Sequence, residues 1–235
     1  MQDQAKKFGF SAPNTFFKKG YIEDLKTVGF DDNILDLIVS NCVINLSPDK
    51  EAVFKEIFRV LKPGGELFFS DVFSDRRISQ DLKEDPVLYG ECLSGAMYIE
   101  DFRRLLLACG CADYRVYSQR VMEINNPEIE KKVGDITFYS ITIRAFKLDL
   151  EDRCEDFGQT ATYLGTCPNF PQEFVLDDHH VFKSNEPVLV CGNTADMLMQ
   201  TRYKAHFKII GDKSNHKGVF NCDADIEPDT NTGCC

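Results

Sequence analysis

The clearest hydrophobic pattern in the chain lies between residues 33 and 73. NILDLIVSN (33–41) is nearly continuously apolar, as expected of a strand covered on both faces. In the polar stretch that follows, Ser47 is placed to cap a helix, Pro48 suits its first position, and Asp49 and Glu51 favour its positive end. Val53, Phe54, Ile57, Val60 and Leu61 then recur at helical spacing, which makes Phe54 and Phe58 core residues, and Lys62-Pro63-Gly64-Gly65 ends the run. GELFFSDVF (65–73) resumes as a strand. Strand, helix and strand with tight punctuation predict a βαβ unit with parallel pairing and a right-handed crossover.

Further along, IEDFRRLLLACG (99–110) predicts an amphipathic helix that stops at Gly110, with Cys109 and Cys111 packing at its end. YRVYSQRVMEI (114–124) and ITFYSITIRAFKL (136–148) alternate apolar and polar positions and predict an antiparallel pair at a sheet edge. Upstream, NTFFKKG (14–20) predicts a short strand and turn. Near residue 150 the chain becomes acidic and turn-rich. The expected organisation is an α/β unit over 1–149, a smaller α+β unit over 150–222, and a flexible tail over 223–235 with too few apolar residues to fold alone.

Charge narrows the function. A net charge of −11 leaves no basic face for nucleic acid or an anionic membrane. No apolar run reaches the roughly 20 residues of a membrane helix, and MQDQAKKFGF has no signal-peptide core, so the expected location is the cytoplasm. In that compartment the ten cysteines point to redox, metal or nucleophilic thiols before a disulfide framework, although no paired C-x-x-C spacing suggests structural zinc. His179-His180 after Asp177-Asp178 lacks a third spaced ligand and reads as a solvated polar turn.

Position singles out one thiol. Ligands of open parallel α/β sheets bind beyond the carboxyl ends of the strands. Cys42 directly follows a predicted strand and Asp71 ends the next, so both belong on that rim. A free cysteine also packs well as a small hydrophobe, and topology alone leaves both readings of Cys42 open.

IVSNCVINLSPDKEAVFKEIFRVLKPGGELFFSDVF resembles the later half of a class I S-adenosylmethionine-dependent methyltransferase, whose helix often ends in LKPGG before a strand. GYIEDL (20–25), SNCVINL, VLYGECLSGAMY (87–98) and GDITFYSITIRAFKL (134–148), in that order, narrow the resemblance to the arsenite methyltransferases, and the terminal GCC is also similar to family members. The fold implied is α/β, a partial Rossmann-like class I sheet with a smaller C-terminal domain. The resemblance further implies that Cys42 and Cys92 are the catalytic thiols that hold trivalent arsenic, and that Ile22, Glu23 and Asn41 lie against the cofactor S-adenosylmethionine. It implies arsenite or its thiol conjugates as substrate and an external thiol reductant, thioredoxin or glutathione, as a partner. Cys154 matches a later family cysteine tied to the redox part of the cycle.

Against that family the chain lacks the first strands and the glycine-rich turn of the cofactor site, together with a further arsenic-binding cysteine. Met1 falls where the resemblance puts the helix before the third strand, so the strand at 33–41 is expected to expose a long apolar edge. A fragment, an incomplete gene model or a chain that pairs with another polypeptide would each explain this. Two alternative functions stay open: a non-catalytic thiol sink or partner subunit, and a methyltransferase with another small acceptor such as a thiol.

Overall fold

A computed structural model describes residues 2–222; the tail over 223–235 lies outside the described residues. The chain opens with a short helix, α1 (Gln2–Lys7), followed by irregular backbone to residue 34. β1 (Leu35–Asn41), α2 (Lys50–Val60) and β2 (Leu61–Ser74) form the βαβ unit, with β1 and β2 parallel and Asn41 opposite Ser70. Then come α3 (Gln80–Lys83), α4 (Pro86–Gly90), β3 (Met97–Tyr98), α5 (Ile99–Ala108), β4 (Tyr114–Val121), α6 (Pro127–Val133) and β5 (Phe138–Phe146). The sheet runs β1-β2-β5-β4; β5 is antiparallel to both neighbours, and β3 pairs in parallel with the end of β2 at Phe73 and Ser74.

α2 and α5 pack their apolar stripes on one face, where Phe54, Phe69, Phe73 and Phe102 meet in edge-on and tilted ring contacts. α5 ends as expected. Gly110 is left-handed (φ 85°), Cys111 N–H returns to the Leu106 carbonyl at 2.9 Å and Gly110 N–H to that of Leu107 at 3.0 Å. Cys111 is buried there and Cys109 half-buried, as helix-end packing predicts.

Three local expectations change. The helix cap is Asp49, whose carboxylate accepts from Ala52 N–H at 2.9 Å; Ser47 instead donates its hydroxyl to Glu23. Residues 14–20 form no strand, because no neighbouring strand offers them a ladder, and Phe16 and Phe17 stand 88% and 83% exposed. The run at 33–41 is not covered on both faces. It makes the edge strand β1, with Leu37 and Val39 exposed, in keeping with the expected open edge.

The C-terminal unit contains β6 (Glu155–Asp156), β7 (Gln159–Tyr163), β8 (Glu173–Val175), β9 (Val181–Lys183), β10 (Pro187–Val190), α7 (Gly192–Met199), β11 (Phe207–Ile210) and β12 (Gly218–Val219). Its three-stranded sheet, β10-β7-β11, packs α7 and the β8–β9 hairpin around Tyr163, Phe174, Phe182 and Phe207. Phe146 from β5 joins that core.

Buried charge fixes the junction between the two units. Glu66, 1% exposed on β2, accepts hydrogen bonds from Arg202 Nε and the Tyr203 hydroxyl, both at 2.8 Å, and lies 3.0 Å from Arg144 Nε. Arg144 also donates to the Leu176 carbonyl and lies over the rings of Phe68, Tyr117, Phe174 and Tyr203. Gly64 is left-handed (φ 77°) and would set a Cβ 2.3 Å from the Gln200 carbonyl, so only glycine permits this approach.

Candidate active site

Cys42 and Cys92 stand on two loops at the carboxyl end of the parallel pair. Cys42 follows β1 directly, and its N–H donates to the Ser70 carbonyl at 2.9 Å, extending the ladder by one bond. Cys92 follows α4, its N–H bonded to the Tyr89 carbonyl at 3.1 Å. Both are left-handed, with φ 52° and 60°, a conformation that disfavours residues with a Cβ. Strain of that kind concentrates where a side chain must be aimed.

The two loops are joined beneath the thiols. After Cys42 the chain makes a single 3₁₀ turn, Ile44–Leu46, whose buried Asn45 donates Nδ2 to the Val72 carbonyl at 2.6 Å and its N–H to Asp71 at 3.1 Å. Gly95, three residues beyond Cys92, lies on that turn so closely that a Cβ would fall 2.0 Å from the Asn45 carbonyl. The Tyr89 hydroxyl reaches the Leu46 carbonyl at 3.4 Å. A cleft of about 360 Å³ opens beside the second loop, lined by Glu91, Leu93, Met122, Ile124 and Asn126.

The charges around the rim act on Cys42. Burial, the Asp71 carboxylate and the charge of Cys92 all push the Cys42 thiol above its ordinary value. Burial also raises Asp71, against the hydrogen bonds from the Val72 and Asn45 N–H groups and the charge of Lys50. Cys42 is exposed, Cys92 half-buried, and neither forms a disulfide. The site therefore presents two reachable thiols, with Cys42 held toward its protonated form.

The residues expected at the cofactor lie on the same rim. Glu23 is anchored by the Ser47 hydroxyl just past the 3₁₀ turn, Ile22 packs against the core under α2, and Asn41 Oδ1 accepts from the Cys42 thiol at 3.5 Å. Lys26 N–H, bonded to Glu56, and the Phe30 carbonyl and Asp32, both bonded to Arg59, hold this segment against α2. Next to it Phe16, Phe17, Tyr21, Leu25 and Phe30 line an apolar cleft of about 600 Å³, a setting suited to a flat heteroaromatic ring. Among the described residues no strand runs into a glycine-rich turn and helix, so these groups fit one side of a nucleoside-binding pocket and not the whole of it.

Asp177, Asp178 and His179 offer ligand atoms close together. Asp177 is already engaged by His180 Nδ1 at 2.8 Å, by Arg115 at 3.3 Å and by the His179 and His180 N–H groups, so the turn is polar but, contrary to expectation, not solvated throughout: Asp177 is buried while Asp178 and His179 are exposed. Sequence reasoning passed over Asn45, Gly95 and Arg115. The first two lie inside quoted motifs, where only the contact between the motifs reveals their task.

Residues 1–126 match the family model of a methyltransferase domain, so the fold and rim belong to a methyltransferase. Residues 158–231 match the arsenite methyltransferase C-terminal domain. An arsenite methyltransferase of Aquipseudomonas alcaligenes is 48% identical over 98% of this chain and 68% of its own length. The Homo sapiens arsenite methyltransferase is 39% identical over 88% of this chain and 55% of its own length. The crystal structure of an arsenic(III) S-adenosylmethionine methyltransferase from Chlamydomonas reinhardtii superimposes with a TM-score of 0.90 at 47% identity, covering 94% of this chain and 74% of that one. The chain belongs to the arsenite methyltransferase family, and it spans about half the length of its mammalian relatives.

Proposed function

We propose that Cys42 and Cys92 together bind trivalent arsenic and present it for methylation. The observation that carries this is the pair of left-handed cysteines on loops locked to each other through Gly95 and Asn45. Arsenous acid is a soft, thiophilic acceptor, and thiolate sulfur selects such a centre over harder oxygen donors. Each As–S bond forms as a thiol proton leaves with an arsenic hydroxyl as water. Arsenic keeps its lone pair, which is the nucleophile toward a methyl group.

S-adenosylmethionine supplies that methyl as an electrophilic carbon on a sulfonium. Ile22, Glu23 and Asn41 are the residues of this chain that would hold its nucleoside side. The two thiols fix the direction of the arsenic lone pair, and positioning of this kind supplies up to roughly 7–11 kcal/mol of a barrier. Methylation formally oxidises arsenic, so the cycle draws on an external thiol reductant of the thioredoxin or glutathione type, in keeping with a cytoplasmic location.

A second reading is favoured by the one-sided cofactor pocket: in this chain alone the thiols act as an arsenic sink. Supplying the full chain with arsenite and methyl-labelled S-adenosylmethionine decides between them. Labelled methylarsenicals support transfer, whereas stoichiometric arsenite binding without label supports the sink. Failure of both overturns the arsenic assignment.

A further inference from the structure

The C-terminal unit holds a second pair of thiols, unconnected with the rim. Cys191, 1% exposed, is the N-cap of the eight-residue helix α7; its sulfur accepts from Thr194 N–H at 3.4 Å and lies 3.2 Å from Thr194 Oγ1. Arg115 reaches the same sulfur at 3.9 Å from β4. Cys154, half-buried on the connection between β5 and β6, is brought to the start of α7 by two hydrogen bonds, Glu151 N–H to Asn193 Oδ1 at 3.0 Å and Asn193 Nδ2 to the Glu151 carbonyl at 2.8 Å, although it lies 37 residues from Cys191 in the chain. Helix N-terminus, guanidinium and Thr194 all converge on Cys191, which places the negative charge of the pair there. The hydrogen bond from Cys154 comes first among the causes that hold Cys191 far below an ordinary thiol, ahead of Arg115 and Thr194 and against the penalty of burial.

We infer that Cys154 and Cys191 are a reversible disulfide-forming pair, a redox modification site at the junction of the two units. Cys154 is the entry point because it is the more exposed of the two. Its thiol exchanges with a small disulfide R–S–S–R, releasing one R–SH and leaving a mixed disulfide on Cys154. The Cys191 thiolate then attacks the Cys154 sulfur; the second R–S⁻ leaves and takes up a proton. One small disulfide is reduced to two thiols while two protein thiols become one disulfide.

The pair does not exchange with the arsenic thiols. Arg115, Arg144, Phe68 and Val39 lie in one row across the sheet, so β4 and β1 are its opposite edges, about 14 Å apart at three strand spacings. Oxidation acts instead on the junction. It removes the thiolate from Arg115, which keeps Asp113 at 2.8 Å and Asp177 at 3.3 Å, and it ties the connecting segment to α7. This inference stands whether or not the chain methylates arsenic.

The test is to equilibrate the full chain with oxidised and reduced glutathione, block free thiols with iodoacetamide and map the linkages by mass spectrometry. The expected result is a Cys154–Cys191 linkage that reverses with excess reduced glutathione, while Cys109 and Cys111 stay free. Cys222→Ser should retain the linkage and Cys154→Ser abolish it, and oxidation should raise the Tm of the wild-type chain by several degrees but not that of Cys154→Ser. Linkage of Cys154 to Cys222, or no native linkage at all, overturns the proposal.

Discussion

Cys42 and Cys92, both left-handed, are separated by 49 intervening positions yet stand close enough that the charge of one raises the proton affinity of the other. The conformation of Cys42 serves no packing, since its side chain is exposed, while Cys92 lies half-buried against the core cluster of Leu88 and Leu93. Backbone strain without a packing gain is what a binding constellation needs and a core cysteine does not.

Replacing Cys42 by glycine therefore separates stability from function. Glycine relieves the left-handed penalty, so Cys42→Gly should hold or raise stability by about 1 kcal/mol in chemical denaturation. The same variant should lose arsenite affinity by at least roughly tenfold in calorimetry. Lower stability together with intact binding would mean that Cys42 is a packing residue.

Gly95→Ala tests the lock between the loops. Its Cβ would fall 2.0 Å from the Asn45 carbonyl, so the second loop must move away from the first. Arsenite affinity should fall about tenfold or more, and the denaturation midpoint should fall with it, because the obstructing atom is backbone of the buried Asn45 turn. Unchanged affinity would show that the thiols act independently.

At the junction, Glu66→Ala leaves Arg144, Arg202 and the Tyr203 hydroxyl without their shared acceptor. Removing one partner of a buried ion network costs about 3–5 kcal/mol, and the loss should appear in urea denaturation. An effect below about 1 kcal/mol would indicate that Glu66 is solvated.

Asp177 supplies a pH dependence. Burial alone would raise its carboxyl, but the hydrogen bond and charge of His180, followed by Arg115, hold it at about 2. A depressed carboxyl stabilises the fold above its unfolded value near 4, and that contribution disappears as the pH falls toward 2; it amounts to about 2 kcal/mol. Stability measured between pH 5 and pH 2 should decline in the wild type and more shallowly in Asp177→Asn.

The elements that were legible in the sequence are those whose signal is local. Phe54, Ile57 and Phe58 announce the face of α2 by their spacing, and Gly110 announces the end of α5. What failed was contextual. NTFFKKG has the composition of a strand, but a strand also needs a ladder, and none is offered to it. Ser47 has the residue type of a cap, yet its hydroxyl is taken by Glu23, 24 positions upstream. The site divides in the same way. Cys42 was marked by its place after β1, and Cys92 entered through the motif GECLSGA alone; the contact of their loops through Gly95 and Asn45 exists only once the chain is folded.

The central claim is that arsenic is shared by two named sulfurs. X-ray absorption at the arsenic edge, with one equivalent of arsenite on the full chain, counts them directly. The expected result is two sulfur neighbours in the wild type and one fewer in each of Cys42→Ser and Cys92→Ser. An unchanged sulfur count in either variant would contradict the assignment.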